Sequence, residues 1–327
     1  MGNGLGRSCM EALEGRTLLA GTTWVPPAPL VRVAAPGQPP VEATAPDAPR
    51  AGGVHLNSTI TWWTESPVIK PASRTAGKVR VLFVGNSFTL RNGGIPGVAA
   101  ALAKAKKETS APAFGQAAHG GWWLQDLYAE PKTKARIAEK VTGSTARTWD
   151  YVVIQPHVLE PVYGRQNLID AGVALDASIR AAGARTVIFV PWGRPDQPGD
   201  QPAMADACAA LKRRLDGDTA NKAAGRTALL VPVYKAWDLV KRRRPDIQLH
   251  NVTPTMPNDA HPSKEGTYLS AAVFYSFFYR HSAEGLWRPM TVTAIDKTRN
   301  YTIPKDTASY LQRIAFKVAK EAGFAPA

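Results

Sequence analysis

The chain is short of cysteine and of acid, and it lacks the common metal and phosphate signatures. Only two cysteines occur, Cys9 and Cys208, so no disulfide framework is expected. There is no C-x-x-C or H-E-x-x-H spacing and no GxxxxGK[ST] loop, and the six histidines, at 55, 119, 157, 250, 261 and 281, are scattered. Those absences argue against a metal centre and a nucleotide cradle, and no cofactor is expected. No run of about 18 apolar residues appears, so no membrane-spanning helix is expected. Asp and Glu total 26 against 40 for Lys and Arg, a net charge of +14. Such a balance favours anionic surfaces, but the positive charges are dispersed. The one tight cluster, Lys241–Arg244, falls at a predicted helix end, where cations complement the dipole. No zinc-finger or RNA-recognition signature accompanies it, so nucleic acid is not an expected partner.

What the chain does contain is a regular alternation of apolar runs and amphipathic stretches. Hydrophobic residues make up 44% of its 327 positions, enough for a sizeable core. Strands are expected near 79–84, 150–154, 186–190 and 228–232, with a fifth near 111–117, although AFGQAA is a poor strand sequence. Helices are expected near 95–107, 124–141, 166–182, 202–216, 234–243, 263–281 and 306–321. Strands alternating with helices imply a parallel sheet covered on both faces. Cys208, within the helical pattern MADACAALKRRL, reads as buried and inert. Residues 21–77 are Pro- and Ala-rich, the composition of a linker, and the folded domain is expected over 78–327.

Two segments carry chemistry. In VRVLFVGNSFT, residues 79–89, an apolar run ends at Gly85 and puts Ser87 at the carboxyl end of the first strand. Ligands of open α/β sheets bind at such ends. A plain helix cap would also account for a serine there. In PNDAHPSKEGTYLSAAVFY, residues 257–275, His261 stands in a polar loop immediately before an apolar helix. A serine hydroxyl is a weak nucleophile until a neighbouring base takes its proton, and His261 is of the right type to do so.

Together these segments resemble the SGNH, or GDSL-like, hydrolase family over roughly residues 78–325. GNSFT looks like its Gly-x-Ser block and HPSKEGTYLSAA like the block that opens its last helix. HGGWWLQDL, residues 119–127, looks like the block whose glycine N–H faces the oxyanion, with Gly121 the better match and Gly120 the alternative. WDYVVIQPH, residues 149–157, looks like the third strand and the polar donor after it, here Gln155. The resemblance implies a flavodoxin-like, three-layer α/β/α sandwich with a parallel sheet of about five strands. It implies a serine esterase with Ser87 as nucleophile, His261 as base, and Ser87, Gly121 and Gln155 as oxyanion donors. The family places its acid three residues before the histidine. Here that position is Asn258, and the carboxylate is Asp259, two residues before. Asp259, Asn258 or a simple Ser–His dyad are the open choices. Asn86, Trp122, Trp192 and Arg194 are the candidate substrate-contacting residues, with core packing the plainer role for the tryptophans. The GxSxG elbow of α/β-hydrolases is absent around Ser87.

Near the start, CMEALEGRTLLAG resembles the LEPR-XLL motif of exported bacterial proteins, with Gly15 where that motif has Pro. Residues 1–20 are therefore expected to be an export-associated leader, and the protein to be extracellular, cell-surface or periplasmic. Export, an esterase apparatus and the paired Trp122 and Trp123 together suggest O-acyl esters, O-acetyl above all, on carbohydrate. A small-molecule or polysaccharide ester is the expected partner. Lipid or lysophospholipid esters are the enzyme alternative, weakened by the lack of a long apolar lid. A catalytically inactive glycan-binding surface module is the alternative from another class.

Overall fold

The computed structural model describes residues 79–106, 113–140, 148–197, 199–286, 290–294 and 297–325. The expected leader and linker, Cys9 included, lie outside the described residues.

The first strand, β1 (Arg80–Gly85), is buried from Val81 onward. A one-turn helix α1 (Ser87–Leu90), a 3₁₀ turn (Arg91–Gly93) and helix α2 (Ile95–Ala105) follow. Next come β2 (Ala113–Ala118), α3 (Leu124–Ala129), α4 (Pro131–Ala138), β3 (Tyr151–Ile154), α5 (Glu160–Tyr163) and α6 (Arg165–Ala181). The second half contains β4 (Arg185–Phe189), α7 (Asp200–Asp216), α8 (Thr219–Ala223), β5 (Leu229–Val231), α9 (Val233–Arg243) and α10 (Lys264–Tyr279). A hairpin of β6 (Met290–Ala294) and β7 (Lys297–Tyr301) precedes α11 (Lys305–Glu321).

The five strands β1 to β5 form one parallel sheet in the order β2-β1-β3-β4-β5. That is the flavodoxin-like doubly wound order, with its switch point between β1 and β3. Side chains alternate strictly across it. Val81, Phe83, Tyr151, Val153, Val187 and Phe189 face α2, α9, α10 and α11. Leu82, Val84, Val152, Ile154, Ile188 and Val190 face α3, α6 and α7. The two apolar faces explain why these strands read as continuous hydrophobic runs. The three-layer sandwich expected from the sequence is what forms.

Helix α10 is the central buried element: Gly266–Phe278 are all buried, as a helix apolar all round should be. Its first turn lies hard against the preceding loop. A Cβ at Gly266 would sit 2.2 Å from the Leu249 carbonyl oxygen and 2.8 Å from the Trp237 ring. This contact seats the loop that carries His261.

One long helix and a hairpin differ from expectation, while β2 forms where the fifth strand was expected. The stretch expected as one helix over 124–141 is two, because Glu130 is extended and its side chain caps α4 ahead of Pro131. The poor strand sequence of β2 has a steric origin: a Cβ at Gly115 would meet the Trp149 ring at 2.3 Å. The β6–β7 hairpin was not expected, and its Val292 packs where a side chain on Gly93 would otherwise stand.

Candidate active site

The parallel strands bring the loops after β1, β2, β3 and β4 to the carboxyl end of the sheet. Ser87 is the first residue of α1. The cap is Asn86, whose Oδ1 accepts from the Phe88 N–H at 3.1 Å. Ser87 is thus free of capping duty.

Its hydroxyl meets His261. Ser87 Oγ lies 2.9 Å from His261 Nε2, and His261 Nδ1 lies 2.6 Å from Asp259 Oδ1. Asp259 Oδ1 also accepts from the His261 backbone N–H at 2.9 Å. It is Asp259 that meets the ring, while Asn258 is exposed. The shortened spacing works because the carboxylate folds back onto its own loop, holding the amide and the imidazole of His261 with one oxygen. Burial opposes the charged form of Asp259, but the His261 N–H, the Asn251 amide and the His261 ring together hold its carboxyl below the usual range.

Four anchors hold this loop. Asn251 Nδ2 donates to Asp259 Oδ2 at 3.0 Å, and Asn251 N donates to the His261 carbonyl at 2.8 Å. Trp192 Nε1 donates to the Ala260 carbonyl at 2.9 Å. Asn92 Nδ2 donates to the Pro262 carbonyl at 2.8 Å and to Thr267 Oγ1 at 3.1 Å. Ser263 N donates to the Leu249 carbonyl at 2.8 Å. Asn92 lies in the left-handed region (φ 56°), followed by Gly93 and Gly94 at positive φ. It ties the serine's loop directly to the histidine's. Sequence reading passed over Asn251 and Asn92. The Asn-Gly-Gly run at 92–94 is a turn signal, whereas nothing in its neighbours marks Asn251.

The expected oxyanion donors divide. The Ser87 and Gly121 backbone N–H groups have no partner among the described residues. Gly121 has φ +74°, a conformation that glycine adopts without strain, and Gly120 is exposed beside it. Gln155 differs from expectation. It is fully buried beneath the loop, its Oε1 accepts from Asn86 N (3.0 Å) and Thr89 Oγ1 (3.1 Å), and its Nε2 donates to the Pro156 carbonyl (2.6 Å). It braces the serine's turn from below and does not reach the cleft.

Two substrate-contacting expectations are corrected for similar reasons. Asn86 is 1% exposed, and its Nδ2 donates to the Trp122 carbonyl at 3.2 Å, so both ends of its amide are engaged. It links the serine's loop to the glycine loop. Trp192 is 1% exposed, stacked 4.8 Å from the Phe88 ring and 3.8 Å from Trp237. It is core under the histidine loop. Arg194 is half-buried at the rim, paired with Asp200 at 2.5 Å. Trp122 remains partly exposed, stacked 4.0 Å from the His119 ring.

Glu160 joins two of the loops. Its Oε1 accepts from Leu124 N at 2.8 Å and its Oε2 from His157 N, while the side chain is fully buried. Burial pushes its carboxyl up to about 7 against the pull of those two N–H groups. No cluster of His, Cys, Asp and Glu suited to a metal ion occurs among the described residues, and none of their helices is long and apolar enough to cross a membrane.

Solved SGNH and GDSL-type hydrolases align with this chain. A candidate SGNH hydrolase from Slackia heliotrinireducens does so at 24% identity, over 61% of this chain and 98% of its own, with a TM-score of 0.43. A lipolytic G-D-S-L family member from Veillonella parvula aligns at 12% identity over 61% and 96%, with a TM-score of 0.42. A family 3 carbohydrate esterase from Clostridium thermocellum aligns at 11% identity over 61% and 94%, with a TM-score of 0.41. No protein-family model and no curated protein matches the sequence. The sheet order and the Ser87–His261–Asp259 distances stand independently of these alignments.

Proposed function

We propose that this protein is a serine esterase of the SGNH type that cleaves O-acyl esters, with O-acetyl groups on carbohydrate its best-fitting substrates. The observation that carries the reading is the unbroken line from Ser87 Oγ to His261 Nε2 (2.9 Å) and from His261 Nδ1 to Asp259 (2.6 Å). Such a line serves nucleophilic acyl transfer.

His261 takes the Ser87 proton as Oγ attacks the ester carbonyl. Asp259 keeps the proton on Nδ1, so Nε2 is free to accept, and it stabilises the imidazolium that forms. The N–H groups of Ser87 and Gly121 receive the oxyanion. His261 then returns its proton to the leaving alcohol, and water repeats the sequence on the acyl-enzyme. The carbohydrate preference rests on the partly exposed Trp122 beside Gly121 and on the export expected from the leader motif.

Release of acetate from acetylated polysaccharides, beside a panel of p-nitrophenyl esters of rising chain length, tests this. Acetyl esters should be turned over fastest, and Ser87→Ala should abolish the activity. Preference for long acyl chains would move the reading to lipid esters. Binding of glycan with no turnover of any ester would make the protein a binding module.

A further inference from the structure

His157 lies two residues beyond Gln155, in the loop after β3, and its backbone and ring are both held. Its N–H donates to Glu160 and its carbonyl accepts from Glu160 N at 3.1 Å. Its Nδ1 accepts from the Leu159 N–H at 3.2 Å. An Nδ1 that accepts carries no proton, so the proton of the neutral ring is on Nε2. That Nε2 has no partner among the described residues, and the side chain is only half-buried. The ring lies nearly parallel to Trp123 (16°), with centroids 6.1 Å apart. Trp123 follows the Gly121 loop, so this ring borders the same rim.

The charges around it favour neutrality. Burial lowers its basicity most, the neighbouring His261 lowers it further, and Asp126 on α3 raises it only in part, leaving the value at about 4. His157 is therefore uncharged around neutral pH, and is poorly suited to shuttle protons.

We propose that His157 is a substrate-contacting residue whose fixed Nε2–H donates a hydrogen bond to an oxygen of the bound ester. It would fill, from the same loop, the place at the rim that buried Gln155 cannot reach. The inference rests on the esterase reading above.

Steady-state kinetics on p-nitrophenyl acetate and an acetylated sugar test it, with His157→Phe, His157→Met and His157→Gln. Phe and Met remove the donor, and Gln retains one. Removing a donor to a desolvated oxygen should lower kcat/KM on the order of tenfold to a hundredfold, and Gln should recover most of the loss. Because the donor is neutral, the ratio of wild type to His157→Phe should stay constant from pH 6 to pH 8.5. Fluorophosphonate labelling of Ser87 should be retained, reporting an intact nucleophile. Wild-type kcat/KM in both Phe and Met variants would overturn the inference while leaving the esterase reading in place. A ratio that changes tenfold across that pH range would overturn it too, since His157 would then be titrating. Absence of turnover by the wild type would remove both readings together.

Discussion

Replacing Asp259 by Asn tests the catalytic line at its least conventional point. In the wild type, Oδ1 accepts from two His261 N–H groups, at 2.6 and 2.9 Å, and Oδ2 accepts from Asn251 at 3.0 Å. An amide has only one oxygen to offer. With that oxygen toward His261, the new NH₂ faces the Asn251 NH₂, donor against donor. Turned the other way, the NH₂ faces Nδ1 and forces the ring proton onto Nε2, where it blocks acceptance from Ser87. Both orientations also lose the charge that stabilises the imidazolium. Loss of the equivalent carboxylate in the serine-protease example costs about 10⁴ in kcat, or about 5.4 kcal/mol at 1.36 kcal/mol per decade. A fall of between ~10² and ~10⁴ is therefore expected here, with KM little changed. Adding Asn251→Asp should turn the amide oxygen back toward His261 and return part of the loss. Initial rates on p-nitrophenyl acetate at saturation give the numbers. If Asp259→Asn stays within tenfold of wild type while Ser87→Ala is dead, the site is a dyad and Asp259 has no catalytic part. If Asn258→Ala proves the more damaging change, the assignment moves to Asn258.

Ser87→Ala should abolish turnover with the thermal midpoint unchanged, and a fluorophosphonate adduct should map to the peptide containing Ser87; labelling at another serine would redirect the mechanism. Glu160→Gln should slow turnover several-fold by releasing one of the two loops, as read by kcat/KM. The Glu160 carboxyl is raised from 4.5 to about 7 in the folded protein. The stability it contributes is therefore complete below about pH 4.5 and is lost as pH rises through about 7. Relative to the Gln variant, the wild type should lose about 3 kcal/mol between pH 4.5 and 8, measured by denaturant unfolding; a pH-independent difference would show that Glu160 does not titrate there. Asn92→Ala should lower stability by ~1–3 kcal/mol through its left-handed backbone and two lost hydrogen bonds, and Asn92→Gly should restore the backbone share but not the rate. EDTA should leave turnover unchanged, and inhibition reversed by added metal would contradict this.

The layered fold was legible because it is written in periodicity. Continuous apolar runs marked β1, β3 and β4, and 3.6-residue spacing marked α6, α7, α10 and α11. β2 was legible despite Gly115, which weakens its strand signal because it is the space for Trp149. What escaped has local causes. The hairpin strands, MTVTA and KTRNY, lack the continuous apolar run that marked the sheet strands. At the site, residue types marked Ser87 and His261, while the family resemblance pointed to Gly121 and left Asp259, Asn258 or a dyad open. Burial could not be read the same way. Asn86, Gln155 and Trp192 stand where loops leave the sheet, and only the packing reveals that they point inward. A polar side chain at a strand end has two ways to satisfy itself, in the cleft or beneath it, and spacing does not choose between them.

Those inward side chains explain how a loop histidine can be held to hydrogen-bonding precision. The loop from Leu249 to Ser263 has almost no regular structure of its own. Its carbonyls at Ala260, His261 and Pro262 are nonetheless taken in succession by Trp192, Asn251 and Asn92. Each donor belongs to a different support: the aromatic stack of Phe88, Trp192 and Trp237, the loop itself, and the turn after the serine. Loosening any one leaves the other two, so a single loss should shift His261 by a fraction of an ångström and leave the fold intact. Rates respond steeply to such shifts, beyond whatever stability the lost hydrogen bond itself contributed. Residues outside the recognisable motif thus set the precision of the site, and the stacked Trp192 does so from within the core that also stabilises the fold.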